Sequence, residues 1–111
     1  MPTDKEILNS DGDWTDLRHE VCRIMQKSFP DYDVTVDGDY ILLSRNGQPW
    51  VLLEQIRLRL YRTKINSWGN PGDPRSIVGG GREVSADGLI EQIRQDLTHI
   101  DDRRKRVPST R

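Results

Sequence analysis

Trp14, Leu17, Val21, Ile24, Met25 and then Phe29 recur at three- and four-residue intervals, the spacing of one buried face of an α-helix. Asp13 stands where an N-cap is needed, Asp16 lies in the first turn and Lys27 in the last, an order that suits the helix dipole. Pro30 stops the helix, so the pattern predicts a helix from Trp14 to about Ser28. Its single apolar stripe has to be covered by something outside the helix.

The covering surface is predicted from the residues that follow. Val34 and Val36 alternate with polar neighbours, Asp37-Gly38 is a turn signal, and Tyr40-Ile41-Leu42-Leu43 is a short apolar strand. Asn46-Gly47 is a second turn signal. Between Trp50 and Ile65 two readings compete. As a strand, Gln55 to Tyr61 alternates, with Ile56, Leu58 and Leu60 on one face and Arg57, Arg59 and Tyr61 on the other. As a helix, Leu52, Leu53, Ile56 and Leu60 form a stripe and Pro49 fits the first turn, which leaves Val51 and Leu58 off the stripe. Periodicity leans towards the strand. The stretch 66–73 is a loop rich in turn formers, Ser76-Ile77-Val78 is a candidate strand, and three glycines follow at 79–81. Ser85 then caps a second helix with the stripe Leu89, Ile90, Ile93, Leu97 and Ile100.

These elements make an α+β domain, two amphipathic helices packed on one face of a small antiparallel sheet. Its expected limits are residues 13–102, between a flexible N-terminal arm at 1–12 and a basic, disordered tail at 103–111. With 33% hydrophobic and 32% charged residues the core must be thin. No apolar run reaches the ~18 to 20 residues of a membrane span, and the start lacks the basic-then-apolar pattern of a secretory signal. Cys22 is the only cysteine, which rules out an internal disulfide and points to the cytoplasm.

Charge is unevenly distributed. Residues 1–39 hold ten acidic and four basic side chains, a net of −6, whereas residues 40–111 hold thirteen basic and eight acidic, a net of +5. Such a split suits self-association, a charged protein partner or nucleic acid. Arg57, Arg59, Arg62 and Lys64, with Tyr61 among them, are the candidate contact surface, and Trp68 in the following loop joins them. A basic row with an interleaved aromatic can meet phosphates and a base, but a sequence pI near 6.1 is low for a dedicated nucleic-acid binder.

Catalytic or metal chemistry finds little support. His19 and Cys22 share a helix face, but His99 is the only other histidine, too few for a closed zinc site. The same pair lacks the orienting group and oxyanion donors of a nucleophile and its base. Asp39 and Glu54 flank a hairpin as the carboxylates of metal-dependent nucleases do, but Ile56 stands where those folds carry a lysine. Gly79-Gly80-Gly81-Arg82 lacks both the Walker and the dinucleotide spacing and is expected to be a hinge or turn. No metal and no cofactor are expected.

One family resemblance emerges. Gly38-Asp39, a short apolar strand, then Leu53, Gln55-Ile56, Leu60 and Thr63, with Leu89 to Leu97 and Asp102-Arg103 later, resemble the W-type baseplate family of phage tails and contractile injection systems. The likeness spans about residues 38–107. It departs from the family at Asn66-Ser67-Trp68, where a glycine-glutamate is usual, and no Glu-Pro-Arg closes the last helix. The resemblance implies a structural tail component and a helix, not a strand, from Trp50 to about Arg62. The expected function is a non-catalytic protein-interaction or assembly module, phage-related if the likeness holds. The alternative is a small nucleic-acid-binding regulator that uses the Arg57–Lys64 surface.

Overall fold

A computed structural model of the chain describes residues 3–65 and 81–106. The order is α1 (Asp4–Leu8), α2 (Trp14–Ser28), β1 (Asp33–Asp37), β2 (Tyr40–Arg45), β3 (Gln48–Arg57), β4 (Leu60–Ile65), β5 (Arg82–Ser85), a 3-10 turn (Ala86–Gly88) and α3 (Leu89–Arg106). The five strands form one antiparallel sheet in sequence order. All three helices pack on one face of it. There Leu17, Val21, Ile24 and Met25 of α2 meet Ile41, Leu43, Val51, Leu53 and Tyr61 of the sheet and Leu89, Ile93, Leu97 and Ile100 of α3. The α+β architecture expected from the two stripes is the one found.

The ambiguity over residues 50–65 resolves to two strands, and the helix implied by the baseplate resemblance is not there. Two bulges explain why the pattern misleads. Leu43 pairs with Val51 and Ser44 with Pro49, so Trp50 is an extra residue on β3. That kink lets the consecutive Trp50 and Val51 both enter the helix-side core. Gln55 pairs with Tyr61 and Arg57 with Leu60, so Ile56 is a second extra residue. The chain then reverses through Leu58 and Arg59, the latter at φ 64, with no glycine, asparagine or proline to announce the turn. The uninterrupted strand face expected for Gln55–Tyr61 therefore does not form. By contrast, Asn46 (φ 55) and Gly47 (φ 77) both take the left-handed backbone that a two-residue hairpin of this kind demands.

Within residues 1–12, expected as a flexible arm, Asp4–Leu8 form the short helix α1. Thr3 and Glu6 form a reciprocal capping box at the start of α1, Lys27 Nζ meets Asp4 at 2.9 Å, and Leu8 is buried. The Tyr61 hydroxyl donates to the Leu8 carbonyl at 2.8 Å. Leu8 and the partly buried Ile7 beside it dock this short helix on the core, and two adjacent apolar residues show no periodicity in a sequence. At the other end α3 runs on to Arg106, into the region expected to be a disordered tail; residues 107–111 lie outside the described residues, as does the candidate strand at 76–78.

One face of α2 carries a row that hydropathy does not reveal. Trp14, Arg18, Cys22 and Gln26, each four residues apart, all donate to backbone carbonyls of β1 or its flanking turns. Trp14 Nε1 reaches Asp39 O at 2.9 Å, Arg18 reaches Gly38 O, Cys22 Sγ reaches Val34 O at 3.5 Å and Gln26 Nε2 reaches Tyr32 O at 2.7 Å. Gln26 Oε1 also accepts from Val34 N at 3.1 Å. Its amide thus stands where the peptide group of a neighbouring strand would pair with Tyr32 and Val34. β1 is an edge strand, and α2 occupies its outer hydrogen-bonding groups there.

Tyr61 gives the fold a pH signature. Burial pushes its phenol above the ordinary value, and the Gln55 amide beside it opposes that shift without making a hydrogen bond of ordinary geometry, so burial prevails. The unfolded chain releases this proton near pH ~10, before the folded chain does. The Tyr61 contribution to stability is therefore whole below that pH and is lost as pH rises towards the folded value. Urea midpoints measured across the alkaline range should fall, and Tyr61→Phe should make the fall shallower. Identical alkaline slopes for the two proteins would show that Tyr61 is not the titrating group.

Candidate binding surface at the β3–β4 hairpin

The bulge at Ile56 and the turn at Leu58–Arg59 build the end of the β3–β4 hairpin. Ile56 is 37% exposed and Leu58 54%, the exposed large hydrophobic residues among those described. Arg57, between them, is also exposed. Behind this apolar knuckle Arg59 links the hairpin end to other parts of the chain. Its Nη2 meets Asp11 at 2.6 Å, its Nε donates to Asn9 O at 3.3 Å, and its own carbonyl accepts from Ala86 N at 3.0 Å. The hairpin end is therefore tied to both the N-terminal segment and the 3-10 turn that precedes α3. That pair also joins the acidic first part of the chain to the basic second part, so some of the charge split is satisfied internally.

The six residues expected to form the contact surface do not share a face. Arg57 is exposed at the hairpin end and Arg59 is held by Asp11. Tyr61 is 0% exposed and packs edge-on against Trp14, ring centroids 5.9 Å apart, so its ring is not available to a partner. Arg62 pairs with Glu83 across β4 and β5 at 3.4 Å. Its side chain lies against Gly81, where a Cβ would come within 2.5 Å of its Cδ. Arg62 and Lys64 project from the sheet face opposite the helices, beside the small cluster of Leu42, Leu52 and Tyr40. Trp68 lies outside the described residues. Tyr61 was misassigned because the turn after Arg57 changes which residues point inwards. The exposure of Ile56 and Leu58 was missed for the same reason.

The remaining chemical candidates stay apart. His19 is exposed, while Cys22 is half-buried, donates to Val34 O and has its thiol pKa raised by burial, the opposite of an activated nucleophile. No group of three or more potential metal ligands occurs among the described residues. Asp39 lies in the β1–β2 turn, and Glu54 is paired in register with Arg62. Of the glycine run only Gly81 is described, just before β5. No described helix is long and apolar enough to cross a membrane. No family model, curated protein or solved structure matches this chain.

Proposed function

We propose that this chain is a non-catalytic protein-interaction module whose contact is the end of the β3–β4 hairpin, Ile56 to Arg59. The observation that carries this reading is the exposure of Ile56 and Leu58 on a hairpin end tied back to the domain by the backbone bond from Ala86 N to the Arg59 carbonyl. Exposed apolar side chains on a fixed support gain from burial against a partner and lose little ordering entropy in doing so. The complementary surface is an apolar socket with a carboxylate rim to receive Arg57. The first 39 residues of the chain hold ten acidic side chains, which makes a second copy the first partner to examine. Because the likeness to the phage-baseplate family loses its expected helix, the proposal does not depend on a tail assembly.

A photo-crosslinking amino acid at position 58 tests it, with position 35 on β1 as the control. The expected result is a discrete crosslinked species from position 58, either with a second copy or with one protein of the source cell, that disappears on Ile56→Asp. Crosslinking from position 58 no stronger or more selective than from position 35 would overturn the proposal. So would salt-sensitive binding to duplex DNA or RNA at physiological ionic strength that Arg57→Glu removes, because the same hairpin end would then be a phosphate contact.

A further inference from the structure

A second site lies well away in sequence from the hairpin end and is independent of the function proposed for it. The C-terminal end of α2, the end of β2 and the middle of α3 border an open cleft of about 230 Å³. Phe29 and Leu97 line its apolar side, and Arg45 and Arg94 line it from β2 and α3. The Arg45 guanidinium sits over two rings, 5.5 Å from the Tyr32 centroid and 5.8 Å from that of Trp50. Those two rings meet edge-on, with centroids 5.5 Å apart. The Arg94 guanidinium lies 5.9 Å from the Phe29 ring centroid. Each cation thus has an aromatic support that limits its freedom, and a guanidinium resting on a ring keeps its in-plane N–H donors.

Charge and size narrow the occupant. Asp101 is the one carboxylate among the described lining residues, so two cations against one anion leave the cleft with an excess positive charge. Glu91 engages Arg94 from outside the cleft at 3.2 Å, with the two side chains 60% and 54% exposed; such a solvated pair is weak and readily exchanged. The Thr98 hydroxyl donates to Arg94 O at 2.9 Å, which leaves its oxygen as an acceptor and the arginines as the donors for a ligand. A cleft of this volume is below the ~300–1,000 Å³ of sites for drug-sized molecules. We infer that the Arg45–Arg94 cleft binds a small organic oxyanion, a carboxylate or phosphate monoester on a short apolar stem, with the oxyanion on the two guanidinium groups and the stem against Phe29 and Leu97.

Titration of the full chain followed by ¹H–¹⁵N NMR tests this with four probes: phenyl phosphate, 3-phenylpropionate, inorganic phosphate and benzyl alcohol. The expected result is saturable, joint shifts of the Trp50 indole N–H and the Arg45 and Arg94 Nε–H resonances with at least one of the first two. Which of them binds more tightly distinguishes phosphate monoester from carboxylate. Arg45→Gln or Arg94→Gln should weaken that binding about tenfold or more, the loss expected when a charge-assisted hydrogen-bonding partner is removed, while the thermal midpoint stays near that of the parent. Linear, non-saturating shifts with both organic anions would overturn the site. Equal binding by benzyl alcohol or by the two glutamine variants would overturn the role of the arginines. Equal binding of inorganic phosphate would overturn the role of the stem.

Discussion

Leu53→Ala is expected to lower the free energy of unfolding by about 2–5 kcal/mol, the range for removing a large aliphatic side chain from a packed core. Leu53 is 0% exposed and sits on the central strand, paired with Ile41 on one side and Thr63 on the other. Its neighbours are fixed in a sheet and cannot close the space easily, which puts the cost towards the upper end. A domain of this size has roughly 5–15 kcal/mol to lose, so the variant should be near the limit of folding. Leu58→Ala, five residues later and 54% exposed, is the internal comparison and should change stability by no more than about 0.5 kcal/mol. Urea denaturation of both variants measures the contrast. Equal midpoints would mean that Leu53 is not held in the core, or that Leu58 at the hairpin turn is not exposed.

Gln26→Leu is expected to have the second largest effect, and it should appear in two measurements. The variant loses the 2.7 Å bond to Tyr32 O and the 3.1 Å bond from Val34 N. At roughly 0.5–1.5 kcal/mol net for each hydrogen bond, stability should fall by about 1–3 kcal/mol. The side-chain volume is nearly kept, so packing contributes little. The freed backbone groups belong to an edge strand, and uncovered edges pair with other chains. Light scattering or thioflavin fluorescence should therefore rise with protein concentration in the variant and not in the parent. A stability loss without association would mean that the rest of the α2 row still protects the edge; unchanged stability would mean that the Gln26 bonds contribute nothing.

Both helical stripes, the Asp13 cap and the two hairpin turns before residue 48 were legible because each rests on a local signal. An N-cap, a proline stop, an Asn-Gly pair and a three-to-four spacing each act within a few residues. What stayed illegible depended on relations across strands. The bulges at Trp50 and Ile56 each add one residue, so a period of two breaks into spacings that a helix also satisfies. The turn at Leu58–Arg59 is held by Asp11, Asn9 and Ala86 from distant parts of the chain, with no turn-forming residue of its own. Tyr61 followed from that error: beside three arginines and a lysine it looks like a surface aromatic, but its ring is in the core and its hydroxyl is bonded to Leu8. The α2 row was hidden because Arg18 and Gln26 count as solvent-facing on any hydropathy scale, although their donors are bonded to backbone.

The row on α2 also limits how this chain can join others through its sheet. Growth of a continuous sheet from subunit to subunit requires each unit to be bifunctional, with one receptive margin on either side. Here α2 lies along the β1 margin, with Cys22 and Gln26 bonded to Val34 and Tyr32 and with Trp14 and Arg18 bonded to the turn beyond the strand, which leaves a valence of at most one, at β5. In polymer terms the folded chain is a terminator: two copies joined by that route would expose two closed margins and stop.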